Sequence, residues 1–449
     1  MKRLIALITT VAMVVCMMPA LAFATDSDVD NSPAETTLNA KSAAEESVFS
    51  KMEVEPASGC EAMSEDGASA MSTDDEVLQS QIDSANAGAT IYISKDMYLY
   101  DTVYIGKNLT LDLQGHTVYA YCEDAFYIYG GAGTVRNGGV ANGYSTYFGA
   151  DSIVTCFLVS DANVTLSSLK IWSSSGVNNF GAVGASGSAV LNVKSCSITM
   201  CASTMEAAGI VCVGNVKANI TSSSINGKAD STTACLACEN SRINIYSGNF
   251  WANCSGEDTF SAAISVEDNG YVYVDGGYYA CTYGSVYLAD KNSKMCINRG
   301  EFRSSASNYS AFSNGYYNTY TTNVSLASGT TVAQNYISKW TKYGCRYVAF
   351  SKKPVATKIK KLKKGSKKLT AYWYSKGSAV SGYIVQAARN KSFTKGVKTV
   401  YVAGGSKKSK TVTKLSKKKT YYVRVCTYTK VYGERFLSNW SGVKKIKTR

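Results

Sequence analysis

Five charged residues fall into one register along the chain. Glu239, Asp268 and Lys291 each stand six residues before an apolar position (Ile245, Val274 and Ile297). Glu267 and Asp290 stand seven before the last two of these. If that register is a structural repeat, the five converge on one edge. Clustered carboxylates hold Ca²⁺, and a lysine beside them serves as a base for proton abstraction. The same stretch contains Asn269-Gly270 and Lys291-Asn292, which are also ordinary turn residues, and the turn role is preferred. A second charged patch pairs Asp275 with Arg299, flanked by Glu301 and Arg303. Neither patch contains three Asp and a His.

Two further groups suit binding rather than bond chemistry. Around Ile91, Ile93, Met97, Leu99, Val103 and Ile105 the apolar residues alternate with Tyr92, Tyr98, Tyr100 and Tyr104. The apolar set faces inward on a strand, so these tyrosines face out, where rings stack on sugars. Near the C-terminus, Lys360, Lys361, Lys363 and Lys364 form one basic run, and Lys407, Lys408 and Lys410 another. Such runs bind polyanions by charge and counterion release.

Other chemistries are excluded by composition. The chain has 449 residues and one histidine, His116. That removes a Ser-His-Asp triad, a multi-His zinc site and a His-paired cysteine nucleophile. No GxxxxGK[ST] phosphate loop is present. Cys235 and Cys238 form a CxxC with no second pair beside it, so zinc is not expected. His116 falls at a bend, where a turn role is expected.

A repeat must position these groups. Apolar pairs five residues apart recur at Leu113/Val118, Val135/Val140, Leu166/Ile171, Val193/Ile198, Ile220/Ile225, Ile245/Phe250, Val274/Tyr279 and Ile297/Phe302. The steps between first members run from 22 to 31 residues, the signature of a solenoid. Ten residues before the anchor come Cys156, Val183, Ile210, Cys235 and Ile264, and eight before come Leu158, Ala185, Cys212, Ala237 and Val266. Their alternation with polar neighbours is the period of a half-buried strand. Five before come Asp161, Ser188, Asn215, Asn240, Asn269 and Asn292, expected to bend left-handed and to bond one another in a column. Three after come Gly138, Gly248, Gly277 and Gly300, a second bend. Short strands with bends in register build an all-β, single-stranded parallel β-helix over 74–350. Thr73 followed by Asp74, Asp75 and Glu76, then Val77, Leu78 and Ile82, predicts a capping helix at its open end. The stretch Leu109 to Val118 resembles the opening coil of right-handed, pectate-lyase-like β-helix proteins. That resemblance implies the fold and leaves the activity open, because lyases, hydrolases and adhesins share it.

The ends read differently. Residues 1–24 have a basic start, an apolar run and Ala22-Phe23-Ala24, the pattern of a cleaved signal peptide. Residues 25–73 are rich in Ser, Ala, Asp and Glu and nearly without aromatics, as in a disordered acidic linker. Residues 351–449 hold 28 Lys and Arg against one acid, Glu434, within a total charge of +14. Short alternating runs over 354–449 suit a seven-stranded sandwich. Leu415 followed by Tyr421, Val423 and Val425, with Trp373 and Trp440, resembles a fibronectin type III module of secreted bacterial surface proteins. Thirteen cysteines follow the leader; Cys156, Cys212 and Cys235 fit core positions, and a disulfide through Cys196 or Cys201 stays open.

The expected protein is secreted, extracellular or cell-surface associated, with no membrane span in its mature chain. Its expected partners are polysaccharides or anionic envelope polymers, with host glycans or surface proteins beyond them, and no nucleic acid. Two functions stay open. One is an adhesion or glycan-recognition scaffold needing no cofactor, with the basic module docking on anionic polymers. The other is a Ca²⁺-assisted polysaccharide lyase, or a glycoside hydrolase, using the Glu239 edge. The first needs no catalytic set and is preferred. Changing Asp268 and Asp290 to Ala separates them, since turnover depends on those residues only in the second.

Overall fold

The computed structural model describes residues 73–143, 154–175, 181–202, 206–229, 232–254, 260–306, 309–312, 321–337 and 345–449. The expected leader (1–24) and nearly all of the expected linker (25–73) lie outside the described residues.

The middle of the chain is a parallel β-solenoid. One coil contributes Val183–Gly187, Val190–Lys194 and Ser197–Ala202, and the next Glu206–Gly214, Lys217–Thr221 and Ser223–Ala229. Each strand pairs in parallel with its equivalent one coil later, giving three faces. The first face is an eight-stranded sheet. The second and third run together as one seventeen-stranded sheet, because strands such as Asn163–Ser175 and Tyr271–Cys281 continue through the corner.

The sequence register holds on two faces. Val135, Leu166, Val193, Ile220, Ile245, Val274 and Ile297 form one inward column. Val118, Val140, Ile171, Ile198, Ile225, Phe250, Tyr279 and Phe302 form another. In the latter, Phe250 stacks on Tyr279 at 4.9 Å between centroids and Tyr279 on Phe302 at 4.7 Å. Aromatic stacking at this spacing adds to the burial of fully inward rings.

Several expectations fail by one or two residues. Leu111, not Leu113, pairs with Val135, because Gln114 (φ 48°) and Gly115 (φ 91°) widen the turn before Val118. On the first face the columns are Phe157, Val183, Ile210, Leu236, Ile264 and Val159, Ala185, Cys212, Cys238, Val266. Cys156 and Cys235 are buried one position before the first column, and the half-buried Leu158 and Ala237 stand one before the second. In those two coils the connection to the anchor is one residue shorter, so fixed offsets from the anchor miss. Asp161, Asn240 and Asn269 do bend left-handed, with φ of 51°, 42° and 66°. In the coils of Ser188 and Asn215 the bend falls on Gly187 and Gly214 instead (φ 67° and 97°). The amide column also lies elsewhere. Asn219 Nδ2 donates to Asn192 Oδ1 at 3.1 Å and Asn244 Nδ2 to Asn219 Oδ1 at 3.0 Å, on the outside of the second face. The second bend uses Gly248, Gly277 and Gly300 as expected, but Asn137 replaces Gly138 (φ 61°), and Ser168, Ser195 and Ser222 serve the middle coils. At Gly248 a Cβ would lie 2.2 Å from the Ser223 carbonyl, so no other residue fits there.

Both ends of the stack are covered. Helix α1, Asp74–Ser84, starts on a Thr73/Glu76 capping box and buries Leu78 and Ile82. Its side chains satisfy the first coil's edge. Tyr98 N–H donates to Asp74 Oδ2 at 3.0 Å, and Tyr104 N–H to Gln79 Oε1 at 2.7 Å. At the other end Tyr347–Lys352 pairs antiparallel with Lys294–Ser304 and Thr330–Val332, ending the parallel ladder.

The chain then forms two antiparallel sheets packed on one core. The first has three strands, Ile359–Gly365, Lys368–Trp373 and Ser409–Val412. The second has five, Gly382–Ala388, Lys398–Ala403, Thr420–Val431, Glu434–Leu437 and Lys444–Lys447. The count is therefore eight strands, not seven. Trp373, Tyr383, Tyr421, Val423 and Val425 lie in the shared core. Ser416 N–H donates to the Tyr421 hydroxyl at 2.9 Å, tying the strand start to the preceding turn. The hairpin around Glu434–Leu437 buries Phe436 against Ala333 and Ala349 at the end of the solenoid.

Candidate functional site

The acidic edge forms in part. Glu239 and Glu267 are Cα partners on adjacent strands of the first face. Asp268 follows in an exposed left-handed turn (φ 45°). Burial, then the charges of Asp268 and Glu267, push the Glu239 carboxyl up to about 7. Its Oε2 is buried without a hydrogen bond. Ser265 Oγ donates to Glu267 Oε1 at 3.0 Å.

Asp290 and Lys291 do not complete a catalytic set. Asp290 Oδ1 accepts the backbone N–H of Asn292 at 2.7 Å and of Ser293 at 3.0 Å. Burial opposes ionisation there, but the bonds from Ser293 and Asn292 outweigh it and hold Asp290 below the usual carboxylate range. Its carboxylate is occupied in closing its own turn. Lys291 is exposed, and its carbonyl accepts Asn323 Nδ2 at 2.9 Å. Among the described residues, no three His, Cys, Asp or Glu side chains are grouped to hold a metal ion.

The second charged patch is a tie between coils. Arg299 Nε lies 3.0 Å from Asp275 Oδ1, and Asn298 Nδ2 also donates to that carboxylate. Glu301 accepts the Tyr347 hydroxyl at 2.7 Å. His116 sits in a turn, its N–H donating to Leu113 O at 2.7 Å, with Nδ1 3.4 Å from Asp96 Oδ1.

The four predicted tyrosines do face out, with Tyr92 58%, Tyr98 41%, Tyr100 58% and Tyr104 44% exposed. Three of them belong to a larger set of rings, while Tyr92 lies on the second face. Tyr98 stacks on Tyr119 at 5.3 Å and Tyr100 on Tyr121 at 5.6 Å. Tyr104 meets Tyr127 edge-on at 5.9 Å, and Tyr127 contacts Tyr129 at 5.3 Å. The rings wrap the corner from the third face to the first on two successive coils. Sequence reasoning missed Tyr119, Tyr121, Tyr127 and Tyr129, although the first three repeat Tyr98, Tyr100 and Tyr104 one coil on. It also missed Asp124, in the same corner. Burial, with a lesser push from Glu123 and against a hydrogen bond from Thr155, raises Asp124 to about 6. Glu123 stands beside it in sequence and Asp101 follows Tyr100, so acidic groups border the rings.

The two lysine runs come together. Lys361 and Lys363 lie opposite Tyr372 and Thr370 on the three-stranded sheet, and Tyr372 and Thr370 lie opposite Ser409 and Thr411. Lys410 is opposite Ala371. The turn holding Lys407 and Lys408 is pinned to the same sheet, since Trp373 Nε1 donates to Lys407 O and Trp373 N–H to Lys408 O, both at 2.9 Å. Lys360, Lys361, Lys363, Lys364, Lys407, Lys408 and Lys410 are all exposed.

Cys196 and Cys201, through which a disulfide stayed open, are free thiols. Burial pushes Cys122, Cys238 and Cys281 up to about 12, so they behave as apolar filling and not as nucleophiles.

No family model matches this chain, and no curated protein matches it. Forty-two chains of known structure do match. One, described as a myokine structure, is 16% identical over 21% of this chain and 95% of its own length, with a TM-score of 0.16. The fibronectin type-III domain of human fibronectin type III domain containing protein 3 is 22% identical, covering 21% of this chain and 84% of its own, with a TM-score of 0.16. A beta-1,2-glucanase from Parabacteroides distasonis is 15% identical, covering 23% of this chain and 15% of its own, with a TM-score of 0.17. None of these likenesses bears on function at such scores. Fold and site together define an all-β parallel β-solenoid protein with an aromatic patch at one end. Among the described residues no helix is long and apolar enough to cross a membrane.

Proposed function

We propose that this chain is an exported, surface-associated recognition protein whose solenoid holds carbohydrate on the tyrosine patch. The eight-stranded sandwich is read as a fibronectin type III-like module that docks on anionic envelope polymers. The solenoid is read as pectate-lyase-like in fold and non-catalytic in use.

The observation that carries this is the tyrosine patch. Five tyrosines exposed by more than a third, Tyr98, Tyr100, Tyr104, Tyr121 and Tyr129, lie on two successive coils, with Tyr92 on the neighbouring face. Isolated exposed rings are ordinary, but exposed rings gathered in stacked pairs on successive coils mark a binding site. Rings held in ladders keep their orientation, so little entropy is lost when a sugar ring packs on them. Asp101, Glu123 and Asp124 accept hydroxyl hydrogen bonds and repel carboxylated sugars. The ligand is therefore a neutral glycan.

The test uses the full chain against neutral and acidic polysaccharides, following both retention and polymer length. Neutral polymer is retained at constant length. Changing Tyr98 and Tyr100 together to Ala weakens retention about tenfold, on the scale of about 0.5–1.5 kcal/mol per aromatic contact. Shortened polymer overturns the non-catalytic reading. Undiminished retention by the double variant moves the site off the patch.

A further inference from the structure

The geometry points to the outer surface of the three-stranded sheet as the polyanion-binding face, and to a sulfated or phosphorylated polysaccharide as its ligand. This rests on the docking role proposed for the sandwich and assigns the residues and ligand chemistry.

Three observations carry it. First, two lysine runs more than forty residues apart in sequence share one sheet. Lys361 and Lys363 point outward two residues apart on an edge strand, about 7 Å from each other by strand geometry. That separation suits successive oxyanions along an extended polymer. Lys407 and Lys408 stand in the turn at the sheet's far edge, while Lys410, opposite the buried Ala371, leaves that edge on the inner side. Second, nothing in the described residues neutralises these lysines, since none forms an ion pair. The module's one acid, Glu434, is 8% exposed and accepts Asn335 Nδ2 at 3.4 Å at the joint with the solenoid. It belongs to the other sheet. A face of one sign draws anions from solution. Third, hydroxyls lie in the middle of the face beside Tyr372. Thr370 and Thr411 share a hydrogen bond at 2.8 Å. Hydroxyls there meet sugar hydroxyls between charged groups.

The same face is ill suited to nucleic acid. In the middle of the face Tyr372 already carries Lys361 Nζ 5.2 Å above its ring; Tyr374, just past the strand end, is 55% exposed, with Lys360 Nζ 5.9 Å from its centroid. Base stacking needs a bare ring or a guanidinium. The sheet offers lysine point charges, which suit isolated sulfate or phosphate groups.

The experiment measures binding of the full chain to heparin across salt concentrations. Wild type binds with a steep salt dependence. The double variant Lys361→Glu/Lys363→Glu binds at least tenfold more weakly, and its log–log salt slope falls by about two. The charge-matched control is Lys391→Glu/Lys395→Glu, on the hairpin of the five-stranded sheet, and it stays within about twofold of wild type. Equal losses in both variants mean diffuse charge and overturn the assigned face, while the docking role survives. No heparin binding by wild type overturns the docking role itself. Duplex DNA bound as tightly as heparin, with the same loss in the first variant, overturns the choice of polysaccharide. Unchanged circular dichroism of both variants shows that the comparison is between folded proteins.

Discussion

Glu239 shows how a single side chain reports on the stack around it. Its carboxyl is pushed from 4.5 to about 7 by burial and by Asp268 and Glu267. The folded state therefore holds a proton that the unfolded chain releases. Stability is fully present below about 4.5 and falls as pH rises towards 7. Changing Glu239 to Gln removes this term. The variant's melting temperature should be flatter than wild type between pH 5 and 8, and higher at the top of that range. Thermal melts at several pH values check this; parallel curves for the two proteins would mean that Glu239 is ionised in the fold. The carboxylates were legible as a cluster because they share a register. Their division of labour was not, because Asp290 closing its own turn depends on the local backbone path around Ser293.

At the scale of elements, the ends of the solenoid matter most. An uncovered coil presents a row of unpaired N–H and C=O groups to any other strand. Helix α1 answers this with side chains, Asp74 on Tyr98 and Gln79 on Tyr104. Gln79 also donates to Tyr104 O at 3.1 Å, so it replaces a strand on both sides of one residue. Replacing Gln79 with Ala should cost about 1–2 kcal/mol by urea unfolding, as for one lost hydrogen-bonding partner at an edge. The helix itself was readable from Thr73, Glu76 and the Leu78/Ile82 spacing. That its polar side chains complete a strand edge was invisible, since the bonded residues lie about 25 positions away.

At the scale of the molecule, residues 73–449 form one compact unit. The sandwich serves as the solenoid's second cap. Phe436 is fully buried against the last coil, and Gln334 and Asn335 bond to Tyr401 and Glu434 across the joint. Solenoids need such end caps to stay soluble. Ending the chain after Lys353 should therefore lower the melting temperature of the solenoid and promote self-association. Calorimetry and light scattering of the shortened protein check this. An unchanged transition in a monomeric fragment would show that the two parts fold independently.

The sequence by itself determined the repeat, the inward columns on two faces and the helical cap. In–out alternation and bend residues act over a few positions, so they can be read locally. It also placed Tyr92, Tyr98, Tyr100 and Tyr104 on the outside. Only the tertiary structure decided the register of the first face, where connections shortened by one residue moved Phe157 and Leu236 into the column. Only it joined Tyr98, Tyr100 and Tyr104 to Tyr119, Tyr121, Tyr127 and Tyr129, and the run at Lys360 to the run at Lys407. Such neighbours are set by where coils and strands stack. Stacking is fixed by packing against residues far along the chain, which no local pattern encodes.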